Sequence, residues 1–204
     1  SQYFSIHPDN PQQRLIAQAA EIVRRGGVIV YPTDSVYALG CHIGDKQALE
    51  RIRAIRQVDK HHNFTLMCRD LSELANYARV DNSDFRILKA STPGAFTFIL
   101  PATSEVPKRL MHPKRKTIGI RVPDNAIVQA MVTALGNPIV STSIKDEDQV
   151  IEYTTDPELI FEKWKHLVDV VVDGGYGGNV ASTVIDLTGD TPILVRQGKG
   201  SSSL

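Results

Sequence analysis

Cysteine is scarce in this chain: Cys41 and Cys68 are the two thiols among 204 residues. Two cysteines without metal-ligand spacing exclude a disulfide scaffold and fit buried structural thiols in a reducing compartment, here the cytoplasm. Long hydrophobic runs are missing too. A stretch such as Val28–Tyr31 is far short of the ~20 residues that a membrane helix needs, so no membrane partner is expected. The opening SQYFSIHPDN holds neither the basic nor the apolar region of a secretory signal. Excess charge is absent, with 23 basic residues against 23 acidic ones. That excludes a protein that is basic all over and holds nucleic acid by bulk charge. Neither G-x-x-x-x-G-K-[ST] nor G-x-G-x-x-G occurs, so both standard phosphate loops are excluded. His61 and His62 are adjacent and suit no single metal from a regular element, so no metal site is expected.

What is present is an ordinary globular composition, 42% hydrophobic and 23% charged. It reads as a single domain over 3–198 followed by a flexible C-terminal tail over 199–204. Asn10-Pro11 reads as a cap and first turn of a helix that ends at Gly26. Val28–Tyr31 then forms a β-branched run that reads as a buried strand. Further helices are expected from Asp45 to about Gln57, over Asp70–Tyr77 and Asp84–Lys89, from Asp124 or Asn125 to Gly136, and after a capping box at Thr155-Asp-Pro-Glu158. Strands are expected at Phe64–Cys68, Ala95–Leu100, Thr117–Val122, Pro138–Thr142, Val168–Val172, Thr183–Leu187 and Ile193–Arg196. Strands and helices interleave without strict alternation, which predicts an α/β fold with a twisted mixed sheet flanked by helices.

The strand at Val28–Tyr31 ends abruptly in Pro32-Thr33-Asp34-Ser35. Small polar groups at the end of a buried strand mark either a solvated turn or the place where open α/β sheets put ligands. Asp173-Gly-Gly-Tyr-Gly-Gly178 reads as a turn, with a phosphate nest as the other reading. Hydroxyls and arginines recur at strand ends: Thr33 and Ser35, Thr117 and Arg121, Ser141, Thr142 and Ser143, then Arg196. In Thr117–Val122, alternation places Thr117, Gly119 and Arg121 on one face and Ile118 and Ile120 on the other. Several hydroxyls with a few guanidinium forks suit a triphosphate and an amino acid held together. Charge is also segregated. Lys108, Arg109, Lys114, Arg115, Lys116 and Arg121 have no acidic residue between them, whereas acids crowd the segment from Asp146 to Glu162. This marks either two solvated faces or one anion-holding region.

PTDSVYALG at 32–40, PGAFTFIL at 93–100, IGIRVP at 118–123, PIVSTS at 138–143 and VRQG at 195–198 resemble the successive signatures of the YrdC-like domain family. The resemblance covers nearly the whole chain. Within the family, IRQ at 55–57 and HNFTLMC at 62–68 are most similar to the YciO branch. The resemblance implies a twisted sheet around a positively charged concave cavity. It also implies chemistry of the threonylcarbamoyl-AMP synthase type, in which L-threonine, bicarbonate and ATP are joined with release of pyrophosphate, toward threonylcarbamoyladenosine in tRNA. Carried over to this chain, it places Thr33 and Arg121 on the threonine, with Arg56, Thr117, Ser141, Ser143 and Arg196 along the nucleotide and magnesium on the phosphates. The family also includes members described as binding double-stranded RNA. On that alternative Lys108, Arg109, Lys114, Arg115 and Lys116 would contact the phosphates of a tRNA or RNA duplex. The synthases carry a K-x-R and an S-x-N. Here they read Ala54-Ile55-Arg56 and Ser143-Ile144-Lys145, so a lysine and an asparagine are replaced. The expectation is weak or altered activity, with Lys145, or else Lys60, supplying part of the missing charge.

Overall fold

The computed structural model describes residues 1–144 and 152–201. Its described strands are β1 (Gln2–Ser5), β2 (Ile29–Tyr31), β3 (Ala38–His42), β4 (Thr65–Met67), β5 (Phe96–Pro101), β6 (Thr117–Arg121), β7 (Ile139–Ser143), β8 (Val170–Asp173), β9 (Thr183–Asp186) and β10 (Ile193–Arg196). They form one sheet in the order β1-β8-β2-β3-β7-β4-β6-β5-β9-β10. The sheet is mixed, as expected: β2 runs parallel to β8 and antiparallel to β3, while β4 runs parallel to β6 and antiparallel to β7. The helices are α1 (Gln13–Arg24), α2 (Lys46–Arg56), α3 (Leu71–Tyr77), α4 (Asn82–Ser91), α5 (Ala126–Leu135) and α6 (Pro157–Trp164).

Successive side chains of a strand leave opposite faces, and that period of two divides the apolar residues into two cores. Val30, Leu39, Leu66, Phe98, Ile118, Ile120, Val140 and Val171 point to one face, packed with Leu49 and Ile52 of α2, Leu74 of α3, Leu88 of α4 and Ile160 of α6. Ile29, Tyr31, Ala38, Met67, Ile139, Val170 and Val172 point to the other, under Ile16, Ala19 and Val23 of α1 and Ile127, Val128 and Met131 of α5. This second core stops at Met67 and Ile139. No residue of β5, β6, β9 or β10 belongs to it among the described residues. The same face of the sheet is therefore roofed by two helices over one half and left without them over the other.

Local signals account for most element ends. Asp45 and Asp70 accept the amides of Ala48 and Glu73 as N-caps, and Asn125 accepts those of Ile127 and Val128. Gly136 closes α5 at φ +78°. Two expected caps are corrected. The first helix is preceded by Gln12 and no side chain caps it. Instead His7 Nδ1 accepts the amides of Asp9 and Asn10, turning the chain before the helix begins. The cap of α6 is Asp156, not Thr155; its carboxylate accepts from the amide of Glu158 and Pro157 occupies the first turn.

Two strands lie outside the sequence reading, β1 and β3. In β3 the obstacle is Gly40, which weakens a strand pattern. Its reason is space: a Cβ there would lie 2.6 Å from Ile139 Cγ2 and 2.7 Å from Tyr31 Cε1. Packing does not end at Gly198, after which the tail was expected to start. The Lys199 amide donates to the Ala181 carbonyl, and the buried Gly200 carbonyl accepts from Thr183 Oγ1 and Gln197 Nε2.

Candidate functional site

The unroofed half of the sheet face is built from small and hydroxyl side chains. Strand register sets Ser141 of β7 beside Thr65 of β4, and Thr65 beside Gly119 of β6. Thr97 of β5 stands close to Gly119, within 3.3 Å of where a Cβ would be. Because these residues are small, the concave face encloses space instead of filling it. The cavity measures about 780 Å³, within the range usual for ligand pockets.

All seven residues that the sequence assigned to threonine and nucleotide line this one cavity: Thr33, Arg56, Thr117, Arg121, Ser141, Ser143 and Arg196. They come from five separate strands, helices and loops. Of the five residues assigned to RNA, Arg115 lines the cavity. Lys108 and Arg109 sit on a single 3-10 turn, where Arg109 Nη2 lies 3.5 Å from the Ile43 carbonyl. Lys114 and Lys116 are exposed on the loop before β6. Ala54 is exposed on α2, Lys60 is exposed in the turn beyond it and away from the lining, and Lys145 lies outside the described residues.

Arg121 is the hub of the site. Its side chain is 3% exposed and pairs with Asp34, itself 11% exposed. Nε donates to the Phe96 carbonyl at 3.2 Å, Nη1 to Ser35 Oγ at 3.1 Å, and Nη2 to both Asp34 Oδ1 and the Gly94 carbonyl. Asp34 Oδ2 also accepts the Asp124 amide at 2.7 Å. The pair therefore ties the loop after β2 to the end of β6 and the start of β5. A guanidinium carries five N–H donors. Four are committed here, leaving one on Nη1 for a ligand.

Thr33 folds its own loop. Its hydroxyl donates to the Val36 carbonyl at 2.6 Å and accepts from the Ser35 amide at 3.0 Å. A close neighbour seals the loop from outside, since a Cβ on Gly178 would lie 2.4 Å from the Ser35 carbonyl oxygen. The 173–178 stretch therefore packs against the loop after β2. Arg56 Nε donates to the Ser143 carbonyl at 2.7 Å. Arg196 donates through Nε and Nη2 to the Ser182 carbonyl at 3.0 and 2.7 Å. Ser141 Oγ shares a hydrogen bond with the buried Tyr31 hydroxyl, whose ionisation burial pushes well upward. By contrast, the hydroxyls of Thr117 and Thr65 make no hydrogen bond among the described residues and remain available to a ligand.

Several lining residues lie outside the sequence reading: His62, His112, Thr65, Thr97 and Ser182. Thr65 and Thr97 did carry a signal, a polar residue flanked by core apolar neighbours at period two. Ser182 joins Thr97 through a 2.7 Å hydroxyl contact. His62 and His112 sit in turns, where no periodicity marks them. His62 Nε2 lies 2.8 Å from Thr142 Oγ1, and its ring meets Phe64 edge-on. Cys41, beyond the loop after β2, is buried in β3 and its thiol is pushed up to about 12 by burial, which fits packing and not a nucleophile.

Among the described residues the lining contains four arginines and no carboxylate. Such a donor set suits anionic ligands and leaves a magnesium ion to phosphates and water, not to a protein cage. Among the described residues no three His, Cys, Asp or Glu side chains gather as metal ligands, and no helix is long and apolar enough to cross a membrane.

Comparison with known proteins agrees with this fold. The chain is 61% identical over 201 residues to the uncharacterized protein YciO of Escherichia coli, covering 98% of this chain and 97% of the relative. An uncharacterized protein of Haemophilus influenzae is 55% identical over 203 residues, covering 100% of this chain and 98% of that one. The crystal structure of E. coli YciO superposes with a TM-score of 0.93 at 60% identity, covering 98% and 97% of the two chains. P. abyssi Sua5, crystallised in complex with L-threonine, superposes with a TM-score of 0.87 at 25% identity, covering 97% of this chain and 58% of Sua5. The Sua5/YciO/YrdC family model, described as telomere recombination, matches residues 21–198, and the chain belongs to that family.

Proposed function

We propose that this protein binds ATP and L-threonine in the cavity and carries out, weakly or on an altered substrate, a reaction of the threonylcarbamoyl-AMP synthase type. The observation that carries the reading is convergence. Seven residues chosen from separate sequence motifs line one cavity of about 780 Å³. The threonine complex of P. abyssi Sua5 supports the amino-acid half of the reading.

In this reaction the threonine amine adds to bicarbonate-derived carbon dioxide, giving a carbamate. A carbamate oxygen attacks the α-phosphorus and pyrophosphate leaves. Thr33 and the remaining Nη1 donor of Arg121 hold the amino acid, Arg121 toward its carboxylate. Arg56, Thr117, Ser141, Ser143 and Arg196 lie along the nucleotide. Catalysis rests on alignment and on cations facing developing phosphate charge. Magnesium, carried in on the phosphates, supplies further neutralisation there. The cytoplasm provides ATP, bicarbonate and the reducing conditions that suit the buried free thiols Cys41 and Cys68.

The test is pyrophosphate release from ATP with magnesium and bicarbonate, with and without L-threonine. Threonine-dependent release is expected, and it should disappear in Arg121→Ala. Release that ignores threonine would sink the reading. A second reading, binding of tRNA or double-stranded RNA, is favoured by the exposed Lys108, Lys114 and Lys116 in the segment that carries the lining residues Leu110, His112 and Arg115. It predicts affinity that falls steeply with salt, whereas ATP held in the cavity responds less.

A further inference from the structure

We propose that Arg115 is a phosphate-binding residue of the cavity, holding the polyphosphate chain of a nucleoside triphosphate from the rim. The inference rests on the reading of the cavity as a nucleotide site and adds a residue that the family pattern does not supply.

Four guanidinium groups line the cavity, and they differ in what they are already doing. Arg121 has four of its donors committed to Asp34, Ser35, Gly94 and Phe96. Arg56 is tied to the Ser143 carbonyl and Arg196 to the Ser182 carbonyl. These three shape the wall as much as they face a ligand. Arg115 is exposed, and among the described residues its side chain makes no hydrogen bond and no ion pair. All five of its N–H donors are open, and among the described residues no carboxylate shares the lining to take them up.

Its backbone, in contrast, is held. The amides of Lys114 and Arg115 both donate to His112 Nδ1, at 3.3 and 3.1 Å. The Lys116 amide donates to the His112 carbonyl, and the His112 amide to the Thr117 carbonyl, both at 2.9 Å. The loop thus stands as a post at the mouth, directly before Thr117 at the start of β6. A free planar fork on a held backbone, beside lysines of the same sign, matches paired phosphate oxygens. The cation absent at Ala54 on α2 is in this way supplied from the loop before β6.

Calorimetric titration of the full chain with ATP, AMP and inorganic tripolyphosphate tests the assignment in four proteins: wild type, Arg115→Ala, Arg115→Lys and Lys114→Ala. Arg115→Ala should weaken ATP and tripolyphosphate about tenfold or more, as expected for lost charged hydrogen bonds, while AMP changes by less than about twofold. Arg115→Lys should recover part of the loss, and Lys114→Ala should stay near wild type because it is off the lining. The proposal is overturned if Arg115→Ala leaves ATP affinity unchanged, including the case where only duplex RNA binding falls. Equal losses for ATP and AMP, or equal losses in Lys114→Ala, overturn it as well. Wild-type binding of tripolyphosphate through Arg115 without ATP binding would remove the nucleotide reading and keep the phosphate role. Binding of neither removes both.

Discussion

Along β7 one face of the sheet passes from Ile139, buried under α5, to Ser141 and Ser143 in the cavity, within five residues. The two halves of that face share strands, twist and hydrogen-bond ladder. They differ in whether helices α1 and α5 lie over them. Where the helices lie, the residues are Ile29, Tyr31, Val170 and Val172; where they do not, they are Thr65, Thr117, Gly119 and Ser141. One half converts side-chain volume into stability, and the other gives up volume to make a site. The lesson is that this cavity is not a gap in the fold but a strip of the sheet composed for a different neighbour.

The largest expected effect is at Arg121, which belongs to the open half yet is built into the structure. Arg121→Met leaves the largely buried carboxylate of Asp34 without its cation. That should cost about 3–5 kcal/mol in urea denaturation, with much of it recovered in the double variant with Asp34→Asn. A loss below about 1 kcal/mol would mean the pair is peripheral.

The comparison itself is broken or kept by two substitutions measured side by side. Ile139→Ala, on the roofed half, should cost about 2–5 kcal/mol and leave ATP affinity of the folded protein unchanged. Thr117→Val, on the open half, keeps volume and removes a hydroxyl that serves no partner among the described residues. It should change stability by about 0.5 kcal/mol or less while weakening nucleotide binding. If Thr117→Val destabilised as much as Ile139→Ala, the two halves would not be different in kind.

A further effect, shared among several buried groups, is expected at alkaline pH. Burial raises the folded-state pKa of Cys41 to about 12 from an ordinary 9.0, and raises Cys68, Tyr31 and Tyr37 in the same direction. A raised folded pKa leaves stability intact below the unfolded value. For Cys41, stability should therefore be level up to about pH 9 and then fall through pH 12, by about 1.4 kcal/mol per unit for each group titrating only in the unfolded chain. Denaturation midpoints between pH 7 and 11 check this; a level curve throughout would show that these groups are solvated.

Much of the architecture was legible because it depends on local chemistry. Asp45, Asp70 and Asn125 are caps by residue type, and the β-branched run at Val28–Tyr31 is a strand by composition. β3 was hidden because its Gly40 answers to Tyr31 and Ile139, which are neighbours in space and not in sequence. The site divides in the same way. Thr117 and Arg121 share a face by strand period, so their meeting was readable. Their approach to Ser141 and Thr33 depends on a strand order that no local pattern encodes. Arg115 shows the limit most clearly, since a charge cluster tells the sign of a region but not which of its members turns inward.

His112 carries a consequence of its own. Because its Nδ1 accepts two backbone amides, the ring's proton must sit on Nε2 whenever the loop is in this form. The turn before β6 is thereby preorganised: it needs no folding upon an arriving anion, so little of the ligand's binding free energy goes into ordering backbone. The tautomer of a single imidazole, with Nδ1 as acceptor, is thus the condition for a loop that is ready before its ligand arrives.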